Sequence, residues 1–137
     1  MAKSFGSAVL DNGLDYPRAR AAAGDTITLH VIKAYTAGDS YSTVVGNSVG
    51  SVALAAGDLV LANDSTTGRK VTVAAKSIAS ASASSGASPA LHIAVVNTTA
   101  SVVFLVTEVS AATNQIITSG NALTTSAMAF SLGFAAT

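Results

Sequence analysis

Short segments in which apolar and polar residues alternate recur along the whole chain, and this period of two most constrains its fold. In residues 25–35, Ile27, Leu29 and Val31 fall on one side of an extended strand and His30 falls on the other. Successive side chains of a strand point to opposite faces of a sheet. The segment therefore predicts a half-buried β-strand with one face in a core.

The same alternation, or a short run of β-branched residues, predicts strands elsewhere, separated by turns rich in Asn, Gly, Ser and Thr. These strands lie within residues 42–45, 51–54, 58–62, 69–76, 90–96, 101–109, 115–118 and 126–135. Residues 102–106 are apolar without a break, which predicts a central strand covered on both faces. Strands of this length and spacing indicate a sandwich, a jelly roll or a small barrel. We favour an all-β, jelly-roll-like β-sandwich with little helix.

The domain organisation follows from where periodicity begins and stops. Residues 1–24 show no regular alternation of apolar and polar residues, which predicts an extended N-terminal arm with at most one or two helical turns in residues 15–24. Residues 25–137 then form a single β-sandwich domain. Residues 78–89 are small and polar, which predicts a flexible loop between two strands with little to bury.

Three of the seven acidic residues directly follow a glycine, in repeated Ala-Gly-Asp triplets that end at Asp25, Asp39 and Asp58. Together these carboxylates could bind calcium or magnesium or act as an acid and base pair. No EF-hand-like ligand spacing surrounds any of them. We interpret each as a turn closure, in which glycine reverses the chain and aspartate accepts a local hydrogen bond before a strand. Asp25 then marks the start of the β body.

The two histidines, His30 and His92, occupy matching positions of two predicted strands. Neighbouring strands would let them share a metal ion, but two ligands without a third make a poor zinc site. We interpret them as structural or interface histidines. The chain has no P-loop, no G-x-G-x-x-G and no H-E-x-x-H motif. We predict no enzymatic activity, no catalytic residue, no cofactor and no metal site.

Charge is scarce on this chain of 137 residues: 10% are charged, 50% are hydrophobic, and the formal net charge is zero. Typical domains carry about 25% charged residues. Little charge is left to cover the surface of a monomer, which indicates a homo-oligomer or a larger assembly. The balanced charge predicts no direct nucleic-acid partner. No apolar run of about 18 residues and no secretory signal is visible, so we predict a soluble protein without a membrane partner.

The densest basic region is residues 66–76. Arg69 and Lys70 could meet an acidic partner or a phosphate. Lys70 and Lys76 fall on the outward side of one predicted strand, however, where charge protects a sheet edge from unwanted pairing. We favour that solvated-face interpretation.

Four segments together resemble a group of small tailed-bacteriophage virion proteins, in which a short N-terminal arm precedes an all-β body. They are residues 1–16, 68–77, 90–97 and 103–123. Residues 16–45, beginning near Pro17, depart from that pattern. The resemblance implies a capsid decoration (cement) protein that binds the outer surface of the phage head and stabilises the shell, with no catalytic residues.

The resulting expectation is a structural protein on the capsid surface of a virion, made in the host cytoplasm. Its partners would be the major capsid protein and itself, as a dimer or trimer. One alternative is a tail- or fibre-associated subunit whose loops bind a host surface. Another is a small carbohydrate- or metal-binding module that uses His30, His92 and the aspartates. The candidate interface residues are Phe5, Leu10, Leu14, Tyr16, Tyr35 and Tyr41.

Overall fold

The computed structural model describes residues 7–64, 68–109 and 115–132, without the side chains of residues 7–12 and 132. Most of the regular structure is antiparallel β-strand, and helix is a minor part, so the prediction of an all-β protein is confirmed. The helices are α1 (Ser7–Ala22) and α2 (Tyr41–Gly46), and a 3₁₀ turn lies at Ala56–Asp58. The strands are β1 (Ile27–Ile32), β2 (Ser48–Leu54), β3 (Leu59–Asn63), β4 (Arg69–Val73), β5 (Lys76–Ile78), β6 (His92–Asn97), β7 (Val102–Glu108), β8 (Leu123–Thr125) and β9 (Met128–Leu132).

The strands form three sheets in which every described pair is antiparallel. The four-stranded sheet has the order β2-β1-β6-β7, the three-stranded sheet has the order β3-β4-β9, and β5 and β8 form a two-stranded ribbon. Strands β1 and β6 are therefore central, and β7 lies at an edge of its sheet.

One hydrophobic core, the main core, is shared by the three sheets and α1. Its buried members are Leu14, Ile27, Leu29, Val31, Val49, Leu54, Leu59, Val71, Val73, Ile78, Ala81, Leu91, Ile93, Val95 and Ile117. A second cluster lies on the opposite face of the four-stranded sheet and consists of Ile32, Val44, Ala94 and Val96. The alternation predicted for β1 is confirmed, because Ile27, Leu29 and Val31 all enter the main core.

The prediction that β7 is central is wrong, and a bulge explains the error. Val95 pairs with Leu105 but Val96 pairs with Val103, so Phe104 is an extra residue in β7. Phe104 and Leu105 pack on the main core, whereas Val103 and Val106 pack on the second cluster. An unbroken apolar run thus arises from a bulged edge strand, and bulges are common at sheet edges.

The predicted strand at residues 42–45 is also wrong, because this segment forms α2. Ser40 caps the helix with its hydroxyl oxygen, which accepts a hydrogen bond from the Thr43 amide at 3.3 Å. The helix buries Val44 completely against the outer face of the four-stranded sheet. The cap and this burial outweigh the strand preference of consecutive β-branched residues.

Helix α1 occupies most of the segment predicted to be an extended arm, so both the extended conformation and the limit of two helical turns are wrong for residues 7–22. Leu14 and Pro17 are buried, and Ala21 packs against the main core. Positions 14, 17 and 21 share one face of a helix. Tertiary packing of this face stabilises a helix that contains a proline, which its local sequence disfavours.

The end of α1 is a Schellman motif built on the first Ala-Gly-Asp triplet. The Asp25 amide donates to the Arg20 carbonyl at 3.0 Å and the Gly24 amide donates to the Ala21 carbonyl at 3.1 Å. Gly24 has a φ of 101°, which a residue with a side chain rarely adopts. The triplet therefore ends the helix, and Asp25 lies between α1 and β1, where the sequence predicts the β body to begin.

Residues 79–90 pack against the body, so the expectation that this loop has little to bury is wrong. Ala81 and Ser85 are buried. The Ser85 hydroxyl accepts from the Ile117 amide at 2.8 Å, and the Ser85 amide donates to the Ile117 carbonyl at 3.0 Å. Residues 115–118 are consequently held by this loop and form no strand, contrary to the prediction.

Gly50 lets the β5–β8 ribbon approach β2 closely. A Cβ atom at this position would lie 3.0 Å from Leu123 Cδ1 and 3.3 Å from Ile78 Cγ2. We expect Gly50→Val to lower the free energy of unfolding by about 1–3 kcal/mol, because overpacking displaces both side chains. Urea unfolding followed by circular dichroism measures the change.

Gly57→Ala is the control for that variant, because a Cβ atom there would meet nothing within 4 Å. Its effect should stay within about 0.5 kcal/mol. If both glycine variants unfold at the same urea concentration, the close approach at Gly50 is not a constraint on the fold.

Candidate functional site

The three aspartates of the Ala-Gly-Asp triplets bond to different partners and do not share a site. Asp25 Oδ2 accepts from Arg20 Nε and from Asn97 Nδ2, each at 2.7 Å. The hydrogen bond from Arg20 is the main cause that lowers the pKa of Asp25, and Asn97 adds to it. Asn97 is almost fully buried at the end of β6. Asp25 therefore ties the end of α1 to the four-stranded sheet.

Asp39 and Asp58 close the same kind of local turn. Asp39 Oδ2 accepts from the Thr36 amide and Asp58 Oδ2 accepts from the Ala55 amide, both at 2.8 Å. In each case the aspartate amide also donates to the carbonyl three residues earlier. The turn-closing interpretation is confirmed for these two, although Asp39 precedes α2 rather than a strand. Within the described ranges, no three His, Cys, Asp or Glu side chains come together as metal ligands.

Asp58 has an additional ionic partner. Lys76 Nζ lies 2.6 Å from Asp58 Oδ2, and about four-fifths of each side chain is shielded from solvent. The Lys76 hydrogen bond lowers the pKa of Asp58. This pair links the turn before β3 to the start of β5.

Residues 46–50 read Gly-Asn-Ser-Val-Gly and match the G-x-S-x-G pattern of a nucleophile elbow, which the sequence reasoning above missed. Ser48 Oγ lies 2.9 Å from His30 Nδ1 and donates to the Gly50 carbonyl at 3.2 Å. The tautomer of the His30 imidazole sets whether Nδ1 donates to Ser48 or accepts from it. In a catalytic triad a carboxylate orients the histidine, and no described carboxylate bonds to His30.

The setting of this motif also differs from an elbow. A nucleophile elbow is a strained turn from a strand into a helix. Here α2 precedes Ser48, which is the first residue of β2, and among the described non-glycine residues only Ser101 has a positive φ. His30 is 7% exposed, and burial lowers its pKa. We interpret Ser48 and His30 as a buried hydrogen-bonded pair that holds the edge strand β2 to β1.

His92 lies on the strand next to His30, but the two side chains are used differently. In the antiparallel register, His30 is opposite Ala94 and His92 is opposite Ile32. His92 Nδ1 lies 2.8 Å from the Ala90 carbonyl, and its ring packs on Tyr35 at a centroid distance of 5.6 Å. Each Nδ1 therefore already has a partner in the chain.

Lys70 and Lys76 lie on different strands, so the expectation that they protect one sheet edge is wrong. Lys70 lies on β4, the middle strand of its sheet, and Lys76 lies on β5 in the two-stranded ribbon. Lys70 Nζ is 3.8 Å from Asp64 Oδ1, and Arg69 bonds to Asn63.

The candidate interface residues differ in what they offer a partner. Leu14 is 6% exposed and packs inside the main core, so it offers a partner little surface. Tyr16 is 54% exposed, and its ring meets Phe104 edge-on at 5.5 Å. Tyr35 and Tyr41 pack around the second cluster. Phe5 and the side chain of Leu10 lie outside the described residues.

A shallow groove beside α1 is the apolar surface that the candidate residues did not include. It has a volume of about 410 Å³ and is lined by Arg18, Ala56, Gly57, Leu59, Val60 and Leu61. Val60 is 54% exposed. The alternation of β3 could have revealed it, because an inward Leu59 and Leu61 leave an apolar valine on the outer face. We call this surface the α1–β3 groove.

A second, deeper cleft of about 230 Å³ opens between β6–β7 and the β8–β9 segment. Its floor is apolar and includes Leu91, Ile93 and Met128, and its rim includes Glu108 and Thr124.

Comparisons with protein-family models, with curated proteins and with solved structures found no match to this chain. Among the described residues, no helix has the length and apolar character needed to cross a membrane.

We expect Asp58→Asn to lower the free energy of unfolding at pH 7 by about 1 kcal/mol, because the ion pair with Lys76 is lost while the turn can still be closed by the amide oxygen. The folded pKa of Asp58 is depressed, so its contribution is present above about pH 4 and is lost as the pH falls below it. The variant and the parent should converge in stability at low pH in urea titrations.

Asp39→Asn is the matched control, because Asp39 closes the same turn and no ion pair of the described residues includes it. It should cost less than Asp58→Asn at pH 7. An equal cost for both variants at every pH would mean that Lys76 contributes nothing.

The buried His30 predicts a second pH range in which the stability of the fold changes. Burial lowers its pKa from 6.5, so its neutral form is favoured in the folded state. The stabilisation from keeping His30 neutral is therefore present above pH 6.5. Below that pH the free energy of unfolding falls by up to about 1.4 kcal/mol per pH unit, because the unfolded state binds the proton more readily. His30→Asn keeps a neutral hydrogen-bonding group towards Ser48 and should remove the slope of stability below pH 6.5. A slope that persists in the variant would assign this window to other groups.

Proposed function

We propose that this chain is a virion structural protein, most specifically a capsid decoration (cement) protein that binds the outer surface of a phage head and stabilises the shell. It would act without chemistry, by bridging adjacent major capsid subunits and associating with copies of itself. The sequence resemblance to small phage virion proteins suggests this role.

The observation that carries the proposal is the exposed apolar α1–β3 groove on a chain that is poor in charge. Val60 is more than half exposed next to the partly buried Leu61, and Arg18 lines the same groove. Apolar surface surrounded by polar groups is typical of protein interaction sites. A structural subunit needs such a surface, and one repeated by capsid symmetry needs only modest area on each copy.

The proposed architecture is a jelly-roll-like β-sandwich. The main core supports it, since residues of the four-stranded sheet such as Leu29 and Val95 pack in the same cluster as Val71 and Val73 of the three-stranded sheet. Antiparallel strands in facing sheets are the basis of the jelly-roll folds. In this arrangement α1 takes the place of the extended arm.

The location of the chain on particles tests the proposed role directly. We expect quantified gels of purified phage particles that carry its gene to give hundreds of copies per particle, and labelled antibody to cover the head in electron micrographs. A few copies at the tail would instead favour the tail- or fibre-associated alternative, and absence from particles would refute both.

Val60→Asp tests the α1–β3 groove as the capsid-binding surface. We expect at least a tenfold loss of occupancy on particles, because a carboxylate would be desolvated at an apolar contact, with an unchanged melting temperature of the free protein. Co-sedimentation with particles that lack the protein measures occupancy. Ser51→Asp, at an exposed position of β2, is the control and should bind normally.

Deletion of residues 1–24 is a poor test of the same surface. It would remove Leu14 from the main core as well as Arg18 from the groove, so loss of binding would not be distinguishable from unfolding. Normal occupancy by Val60→Asp would exclude the groove while leaving the head location intact.

A further inference from the structure

The outer edge of β7 presents main-chain groups that no described strand pairs with. The Val109 amide donates to the Leu91 carbonyl at 2.9 Å, and the Thr98 amide donates to the Thr26 carbonyl at 2.8 Å on the other side of β6. Hydrogen-bonding direction alternates along an antiparallel strand. Residues 105 and 107 therefore face β6, and the amide and carbonyl groups of Val106 and Glu108 face outward.

Among the described residues, this edge carries few of the features by which sheet proteins prevent edge-to-edge pairing. Residues 102–108 contain no lysine, arginine or proline, and Glu108 at the end is the one charge. The strand is seven residues long, and Val102 is 44% exposed. Its bulge lies at Phe104, which leaves residues 105–108 regular. A long apolar edge of this kind is a template for another strand.

The other edge of the same sheet, formed by β2, is covered at one end. The Val49 carbonyl of β2 accepts from the Ser82 amide at 2.9 Å, where the pairing of β1 with β2 is interrupted between Val31 and Ile32. The β5–β8 ribbon also packs against β2 at Gly50. Addition of β7 of one copy to the rest of β2 of the next would form an open chain. Pairing of β7 with β7 about a two-fold axis gives a closed dimer.

We propose that two copies of this chain associate through antiparallel β7 strands, with Val106 of each copy opposite Val106 of the other, to form a continuous eight-stranded sheet. Charge favours this orientation, because a parallel pair would place the two Glu108 carboxylates side by side. The antiparallel register separates them by four residues, about 14 Å along the strand. The inference deepens the proposed self-association and rests on it, and the isolated protein tests it without capsids.

Light scattering on the purified full chain should give a dimer at micromolar concentration. Val106→Pro removes the outward amide of β7 without removing a ladder bond to β6, a position that tolerates proline in an edge strand. We expect this variant to be monomeric, with at least a tenfold weaker dimer in sedimentation equilibrium and an unchanged far-ultraviolet circular dichroism spectrum. Val60→Asp should remain dimeric.

Crosslinking provides a second readout that does not depend on the fold of the proline variant. The chain has no cysteine, so Val106→Cys places one thiol per copy, and the two thiols would meet at the axis at a spacing of about 5.5 Å between Cα atoms. Mild oxidation should give a disulfide-linked dimer in high yield, whereas Ser51→Cys on β2 should not.

A monomeric parent protein, or a dimer in which Val106→Cys does not crosslink, would overturn the proposal. Neither result would affect the capsid-binding test of Val60→Asp, so failure of the dimer and failure of the proposed function can be distinguished.

Discussion

Strands β1 and β6 lie side by side in the middle of the four-stranded sheet and bury side chains on both faces, and the other elements are arranged to cover those faces. Leu29 and Val95 face the main core, which the other sheets and α1 complete. Ile32 and Val96 face the second cluster, which α2 covers. Each uncovered face would expose several fully buried side chains, at about 25 cal/mol for each Å² of apolar surface. This two-sided burial places many of the hydrophobic residues, which make up 50% of the chain, in the interior.

Polar residues in this fold mainly join segments that are distant in sequence. Asp25 connects the end of α1 to Asn97 on β6, and Asp58 connects the turn before β3 to Lys76. The Ser85 hydroxyl accepts a hydrogen bond from the Ile117 amide and so holds a low-complexity loop in place. Among the described side chains, no buried nitrogen or oxygen lacks a hydrogen-bond partner. These polar groups therefore stabilise the arrangement of the sheets and loops.

The two proposed contacts, with a capsid and with a second copy, use different surfaces of the same body. The α1–β3 groove offers exposed apolar side chains such as Val60, and the β7 edge offers main-chain groups. The two differ physically: one is suited to shape-complementary contact and the other to strand addition. Separate surfaces for the capsid and for a second copy would allow a decoration protein to bridge neighbouring shell subunits. Repetition by symmetry would then make weak contacts effective.

The sequence by itself determined the all-β class, the inward residues of β1 and the turn-closing role of Asp58, because these depend on local periodicity and on hydrogen bonds within four residues. Tertiary structure alone decided that residues 7–22 are helical and that β7 lies at an edge. Packing against the body stabilises α1 although Pro17 disfavours a helix. In the same way, the burial of α2 against the four-stranded sheet outweighs the strand preference of residues 42–45. The candidate surface was predictable only in part, through the alternation of β3 that turns Val60 outward, because the groove itself depends on how α1 lies beside β3.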